Sequence, residues 1–200
     1  MRAQARVGAN ADWFVPAGLV LTLCVVVAQV TTQLIDFGVY DLRVAALDSN
    51  KHTSVFGLAS LVAQGAVAAA AALRAGTPPH RRAWTVLALL VAALLVVRIV
   101  FPFSTAPLLP FVAVVFIVLW RLAIDEPRAP ARAIRLGLGL LVFSFVVHVV
   151  GPHLMSALGY AGDTWEYQVK GILKHGGELA GWMTIATGIA AAALARLRRA

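Results

Sequence analysis

The densest chemistry in this chain lies in Lys174-His-Gly-Gly-Glu-Leu-Ala-Gly181. Lys174 and Glu178 are four residues apart and His175 and Glu178 three apart, so on a helix all three side chains project to adjoining parts of one face. A lysine, an imidazole and a carboxylate so placed can pair charges, move a proton or hold an anion. His175-x-x-Glu178 also has the spacing of helical metal ligands, and His148 could supply a third. Against that reading, Lys174 and Arg98 would add positive charge beside a cation. His148 and His153 are five apart with Pro152 between them and do not share a helical face. Neither a metal nor another cofactor is expected. Covalent catalysis has no better footing. Ser54, Ser60, Ser144 and Ser156 lack a G-x-S-x-G context, and no phosphate loop, dinucleotide fingerprint or H-E-x-x-H is present.

The elements that must position these groups are apolar. Of the 200 residues, 60% are hydrophobic and 13% charged, about half the charged share of a soluble domain. The mean hydropathy is +0.84. Too much apolar surface exists for a water-soluble core to hide, which makes lipid the solvent. A net charge of +8 would suggest nucleic acid in a soluble protein. Here the basic residues flank apolar runs, so the expected partner is the bilayer with its anionic headgroups, and not nucleic acid. The single cysteine, Cys24, lies within the first apolar run, excludes an intrachain disulfide, and is expected only to pack.

Six spans of about membrane-crossing length are expected, at residues 13–35, 54–73, 83–103, 107–124, 133–152 and 167–194. The first is too long for a signal-peptide core, and no clear small-x-small cleavage site follows it, so it is expected to be retained. No segment between spans is long enough for an independent core, and the fold class is an all-α transmembrane bundle in a single domain. Orientation follows from arginine. Arg2 and Arg6, then Arg74, Arg81 and Arg82, then Arg121, Arg128, Arg132 and Arg135, then Arg196, Arg198 and Arg199 occupy alternate gaps. The other gaps hold Arg43, Lys51, Lys170 and Lys174, diluted by Asp36, Asp41, Asp48, Asp163 and Glu166. The positive-inside rule therefore places both termini in the cytoplasm, as in a multi-pass bacterial inner-membrane protein. Trp13, Trp84 and Trp120 fall where an inner aromatic belt would lie, and the turn from Phe101 to Pro107 would lie outside.

Orientation fixes depth. Arg98 and His148 then sit near the outer ends of outward-running helices. Lys174, His175 and Glu178 lie in the first turns of an inward-running one, and Asp36 ends the first helix. Arg98 is expected to pair with Glu178, since each needs an opposite charge to stay ionised within the membrane. Arg98, His148, Lys174, His175, Glu178 and Asp36 are the candidate ligand-binding residues of an outward-facing polar pocket suited to a carboxylate or a lipid phosphate. The alternative for the same residues is a purely structural ion-pair layer, with Lys174 pairing with Glu178. Two other classes stand beside the pocket. One is a membrane enzyme acting on lipid with His148 or His175 as acid–base group. The other is a subunit docking through Gly177 and Gly181, a G-x-x-x-G pair extended by Gly188 that admits a close neighbouring helix. His80, in an arginine-rich loop, is expected to be solvated.

Leu47-Asp-Ser-Asn-Lys-His-Thr-Ser-Val-Phe-Gly-Leu-Ala-Ser-Leu61, with the glycine-rich start of the last helix, resembles a broad group of bacterial multi-span membrane proteins of about six helices and no established activity. Asp48, Asn50 and Thr53 fit its acid-x-N-x-x-[ST] approach to the second helix, and Glu178 and Gly181 fit its last helix. Lys174 and His175 stand where the group carries acids, and Arg98 occupies an acid-rich stretch of its third helix. The resemblance implies the helical fold. If the acids of such relatives bind a cation, it also implies that this chain has lost that ability.

Overall fold

The structure is a computed structural model that describes residues 13–39, 44, 47, 54–100, 109–160 and 164–198. Among these residues it is all-α, with six α-helices and no strand. Helix α1 (Phe14–Gln33) carries Pro16 in its first turn, where the missing N–H breaks no helical bond, and runs on into a π-helical turn, Leu34–Val39. Helix α2 (Val55–Ala75) is N-capped by Ser54, whose Oγ accepts the Gly57 N–H at 3.0 Å. Helices α3 (Arg81–Val100) and α4 (Leu109–Ile124) follow, and α5 (Arg128–Ala157) opens immediately after Pro127. Helix α6 (Trp165–Leu197) begins at Thr164, whose hydroxyl accepts the Tyr167 N–H at 3.4 Å.

The helices fall on the expected segments, with two differences in extent. Helix α5 begins at Arg128, five residues before its expected start, and passes through Pro152 to Ala157, and α6 overruns its expected limits at both ends. Proline removes one hydrogen bond, but in an apolar setting the remaining N–H groups have no better partner than the helix. The expected turn at Phe101–Pro107 lies outside the described residues, as do Arg2, Arg6, Arg43, Lys51, Asp41, Asp163, Arg199 and the Asp48, Asn50, His52 and Thr53 approach to α2.

Helix α6 is central and packs against α1, α2 and α5. Contacts of α2 with α3, α3 with α4 and α4 with α5 close a five-helix ring, and α1 lies outside it against α6. The ring is filled by aliphatic side chains, among them Val67, Leu87, Val91, Leu119, Ile134 and Ile185, all fully buried. Glycine brings α5 and α6 to backbone contact. A Cβ added at Gly181 would stand 2.7 Å from the Leu141 side chain and 3.0 Å from the Gly137 carbonyl oxygen. One added at Gly188 would meet Ile134 at 2.8 Å and the Pro130 carbonyl at 2.9 Å. The glycine face of α6 is thus occupied by α5 of the same chain.

Among the described residues, five helices are long and apolar enough to cross a membrane, and α4 is a shorter apolar helix of 16 residues. Their outward faces are apolar too: Leu23, Val62, Leu89 and Ile117 are each more than 60% exposed. Helix α1 is inverted relative to a helix in water. Val15, Thr22, Gln29 and Gln33 are its buried residues, while Val20, Leu21, Leu23 and Val27 face outward. Such a surface is stable only against lipid, and the chain is a multi-pass membrane protein. Cys24, expected to pack, is exposed on that outward face of α1.

Candidate functional site

The α2–α3, α4–α5 and α6 ends bring opposite charges together at both poles of the bundle. At one pole, the end of α3 reaches α6: Arg98 and Glu178 form the expected ion pair, with side chains 20% and 16% exposed. Helix α2 completes the setting. Ser60 Oγ donates to Glu178 Oε1 at 3.4 Å, and the Arg98 guanidinium donates to Gln64 Oε1 at 3.5 Å. Ser60 and Gln64 lie four apart on α2 and so face the same way. His175 Nδ1 stands 3.8 Å from Glu178 Oε2, one turn along α6.

Lys174 does not pair with Glu178. Its backbone carbonyl accepts the Ser144 hydroxyl of α5 at 2.7 Å, and among the described residues its ammonium has no ion-pair partner. His148 lies on the face of α5 that meets Lys174 and Lys170, between Ser144 and Gly151, which touch those residues. Four candidates therefore gather with Glu178: Arg98, His148, Lys174 and His175. Asp36 has a different role. Its buried carboxylate accepts the Val44 N–H through both oxygens, at 3.1 Å each, and so holds the chain beyond the π-helical turn. Next to it, the Phe37 ring stacks on Trp165 at 6.0 Å.

Lys170 belongs to the group but was read only as an external basic residue. Its stem crosses α5 at Gly151, where an added Cβ would stand 2.7 Å from Lys170 Cγ, and its ammonium lies 3.7 Å from the centre of the Tyr167 ring. The spacing of Lys170 and Lys174, one turn apart on α6, was the available signal. Pro152 adds a further feature, because without its N–H the His148 carbonyl lacks its usual helical donor. Among the described residues, no three histidine, cysteine or acidic side chains gather as metal ligands.

The opposite pole holds a network that sequence reasoning missed. Arg74, at the end of α2, is fully buried. Its NH2 lies 2.6 Å from Glu126 Oε1, its Nε donates to the same oxygen at 2.8 Å, and its NH1 donates to the Thr77 carbonyl at 2.8 Å. The guanidinium also covers the Trp84 ring at 5.4 Å. Trp84 is thereby buried and does not belong to an interfacial belt, whereas Trp13 and Trp120 are exposed. Arg196, from the end of α6, reaches Glu126 Oε2 at 3.7 Å and donates to the Asp125 carbonyl at 3.0 Å. His80 is not simply solvated: its Nε2 lies 2.9 Å from Asp125 Oδ2. These contacts tie the α2–α3 loop, the α4–α5 turn and the C-terminal helix into one knot, whose evident work is structural.

Comparison with family models, curated proteins and solved structures gave no match for the chain.

Proposed function

We propose that the protein is a six-span, non-enzymatic protein of the bacterial cytoplasmic membrane with both termini inside, and that its Arg98 pole lies in the outer leaflet and binds an anionic group. The observation that carries this reading is a charge imbalance. Arg98, Lys170 and Lys174 lie with two acids, Glu178 and Glu166; Glu178 is already committed to Arg98, and Glu166, one turn before Lys170 on α6, forms no ion pair with either lysine among the described residues. His148 and His175 lie in the same layer. Cations held within an apolar bundle are costly, and one without an acid partner is stabilised by an anion from outside. A carboxylate or phosphate supplies that charge, while the apolar helix faces around it accommodate a hydrocarbon tail.

The test is retention of lipid by the detergent-purified protein. An anionic phospholipid, phosphatidylglycerol, and a zwitterionic one of the same chains, phosphatidylcholine, are offered at equal concentration and the bound lipid is quantified. Preferential retention of phosphatidylglycerol is the expected outcome. Equal retention of both would reduce the pole to an internal ion-pair layer.

A further inference from the structure

Resting on the reading of an anion-binding pole, we propose that the anion sits on α5 and α6 against Lys170, Lys174 and His148, that Arg98 and Glu178 form a strut beside this seat, and that the ligand is the phosphate of a membrane lipid whose headgroup carries a net negative charge.

Arg98 is spoken for. It is paired with Glu178, reaches Gln64, and is held by α2 and α6 together. An incoming anion there would have to displace a carboxylate that cannot leave. Lys170 and Lys174 are different: among the described residues neither has a carboxylate partner. They lie one turn apart on one side of α6, and His148 falls between Ser144, which bonds the Lys174 carbonyl, and Gly151, which packs on the Lys170 stem, on the one face of α5 that meets both lysines. A phosphate carries several acceptor oxygens and can bridge two ammonium groups and a ring N–H.

The seat is built into the helix packing. Gly151 clears the path for the Lys170 stem, since a side chain at that position would collide with its Cγ and Cδ at 2.7 and 2.8 Å. The Ser144 hydroxyl ties α5 to the backbone of Lys174 itself, at 2.7 Å. Both lysines are therefore anchored at their stems or backbone; the Lys170 ammonium rests over the Tyr167 ring at 3.7 Å, which leaves N–H groups on its other side for an anion, and among the described residues the Lys174 ammonium has no ion-pair partner. The surroundings favour a lipid over a free ion. Val149, Val150, Leu154 and Leu173 are each 46% exposed or more, which leaves apolar ridges on both helices for acyl chains next to the charges. The lipid would approach sideways from the bilayer, with its phosphate at the level where headgroups lie.

Purified protein in detergent would be titrated with phosphatidylglycerol, with inorganic phosphate as competitor. The double variant Lys170→Gln/Lys174→Gln is expected to bind about tenfold more weakly or worse, since each lysine near a headgroup contributes substantially. Lys170→Arg/Lys174→Arg, which keeps both charges, should bind within about twofold of the parent. Millimolar inorganic phosphate should not displace the lipid; full displacement would mean that a free anion is the ligand and would overturn the lipid assignment. If the glutamine pair binds like the parent and Arg98→Gln/Glu178→Gln abolishes binding, the seat is wrong although the anion-binding pole stands. If the parent does not distinguish phosphatidylglycerol from phosphatidylcholine, both readings fall.

Discussion

A carboxylate inside an apolar bundle stays ionised only beside a cation, and Glu126 and Glu178 meet that demand differently. Glu178 is partly exposed and shares its pole with several cations, whereas Glu126 and Arg74 are buried to within 1% of completely. Glu126→Ala should therefore leave Arg74 buried and unpaired and cost roughly 3–5 kcal/mol, as for other broken buried pairs. The joint replacement Arg74→Met/Glu126→Leu should cost less than either single change, because no fully buried charge is left unpaired; Arg196, which also loses Glu126, is partly exposed and keeps the Asp125 carbonyl. Unfolding of the purified protein in mixed micelles measures both, and a double variant as unstable as the sum of the singles would contradict the account. The two pairs also differ in how readable they were. Arg98 and Glu178 both fall inside expected spans, near their outer ends, so each visibly needed a partner, and matching their depths found it. Arg74 ends a helix and Glu126 lies in a turn beside Asp125 and Pro127. In such places charges are ordinarily solvated, and nothing local shows that residues 52 apart will meet. Trp84 was misread for the same reason, because an aromatic near an interface looks identical whether it faces lipid or covers a buried guanidinium.

At the scale of elements, the closest seam is α5 against α6, and two glycines of α5 make an internal comparison. Gly137 has no room: an added Cβ would lie 2.6 Å from Ile185 Cγ1 and 2.7 Å from the Gly181 carbonyl oxygen, which is backbone and cannot swing aside. Gly139, two residues on, has nothing within 4 Å. Gly137→Ala should force the helices apart and destabilise by about 1–3 kcal/mol. Gly139→Ala should be neutral or stabilise by about 0.5–1 kcal/mol through the better helix propensity of alanine. The same unfolding measurement ranks them, and equal effects would mean that the seam is looser than drawn. Sequence spacing revealed that Gly177 and Gly181 would admit a neighbour, but G-x-x-x-G does not name it. Only the packing identifies α5, with Gly137 facing Gly181 across the seam. Helix α1 illustrates the converse. Thr22, Gln29 and Gln33 fall seven and four apart, which puts them on one side of a helix. In a span whose other residues, Thr31 and Thr32 apart, are apolar or glycine, that polar stripe marks the buried face.

Across the whole molecule, both poles constrain how often the chain crosses. The Arg74 pole joins the end of α2, the turn between α4 and α5, and the end of α6. The Arg98 pole joins the end of α3 to the first half of α2 and the first half of α6. Between Arg74 and Glu126 the chain must therefore leave one pole and return to it, which α3 and α4 do. Helix α4 is the weakest candidate span. Its 16 residues rise about 24 Å, short of a hydrocarbon core of about 30 Å. The knot nevertheless requires its last turn to lie on the same side as Arg74. Helix α1 begins at that pole as well, since Val15 packs with Ala133 and Ala191, near the start of α5 and the end of α6. Twelve arginines flank the apolar runs on that side by sequence, against Arg43, Lys51, Lys170 and Lys174 on the other, so the positive-inside rule and the packing favour the same arrangement. Reporter fusions at the N-terminus, near Pro79 and after Ala200 should all give a cytoplasmic signal. A reporter inserted between α3 and α4 should give an external one. An external signal from the C-terminal fusion would require an odd number of crossings. It would also separate Arg196 from the side that holds Arg74, and the outer-leaflet position of the Lys170 and Lys174 seat would be lost with it.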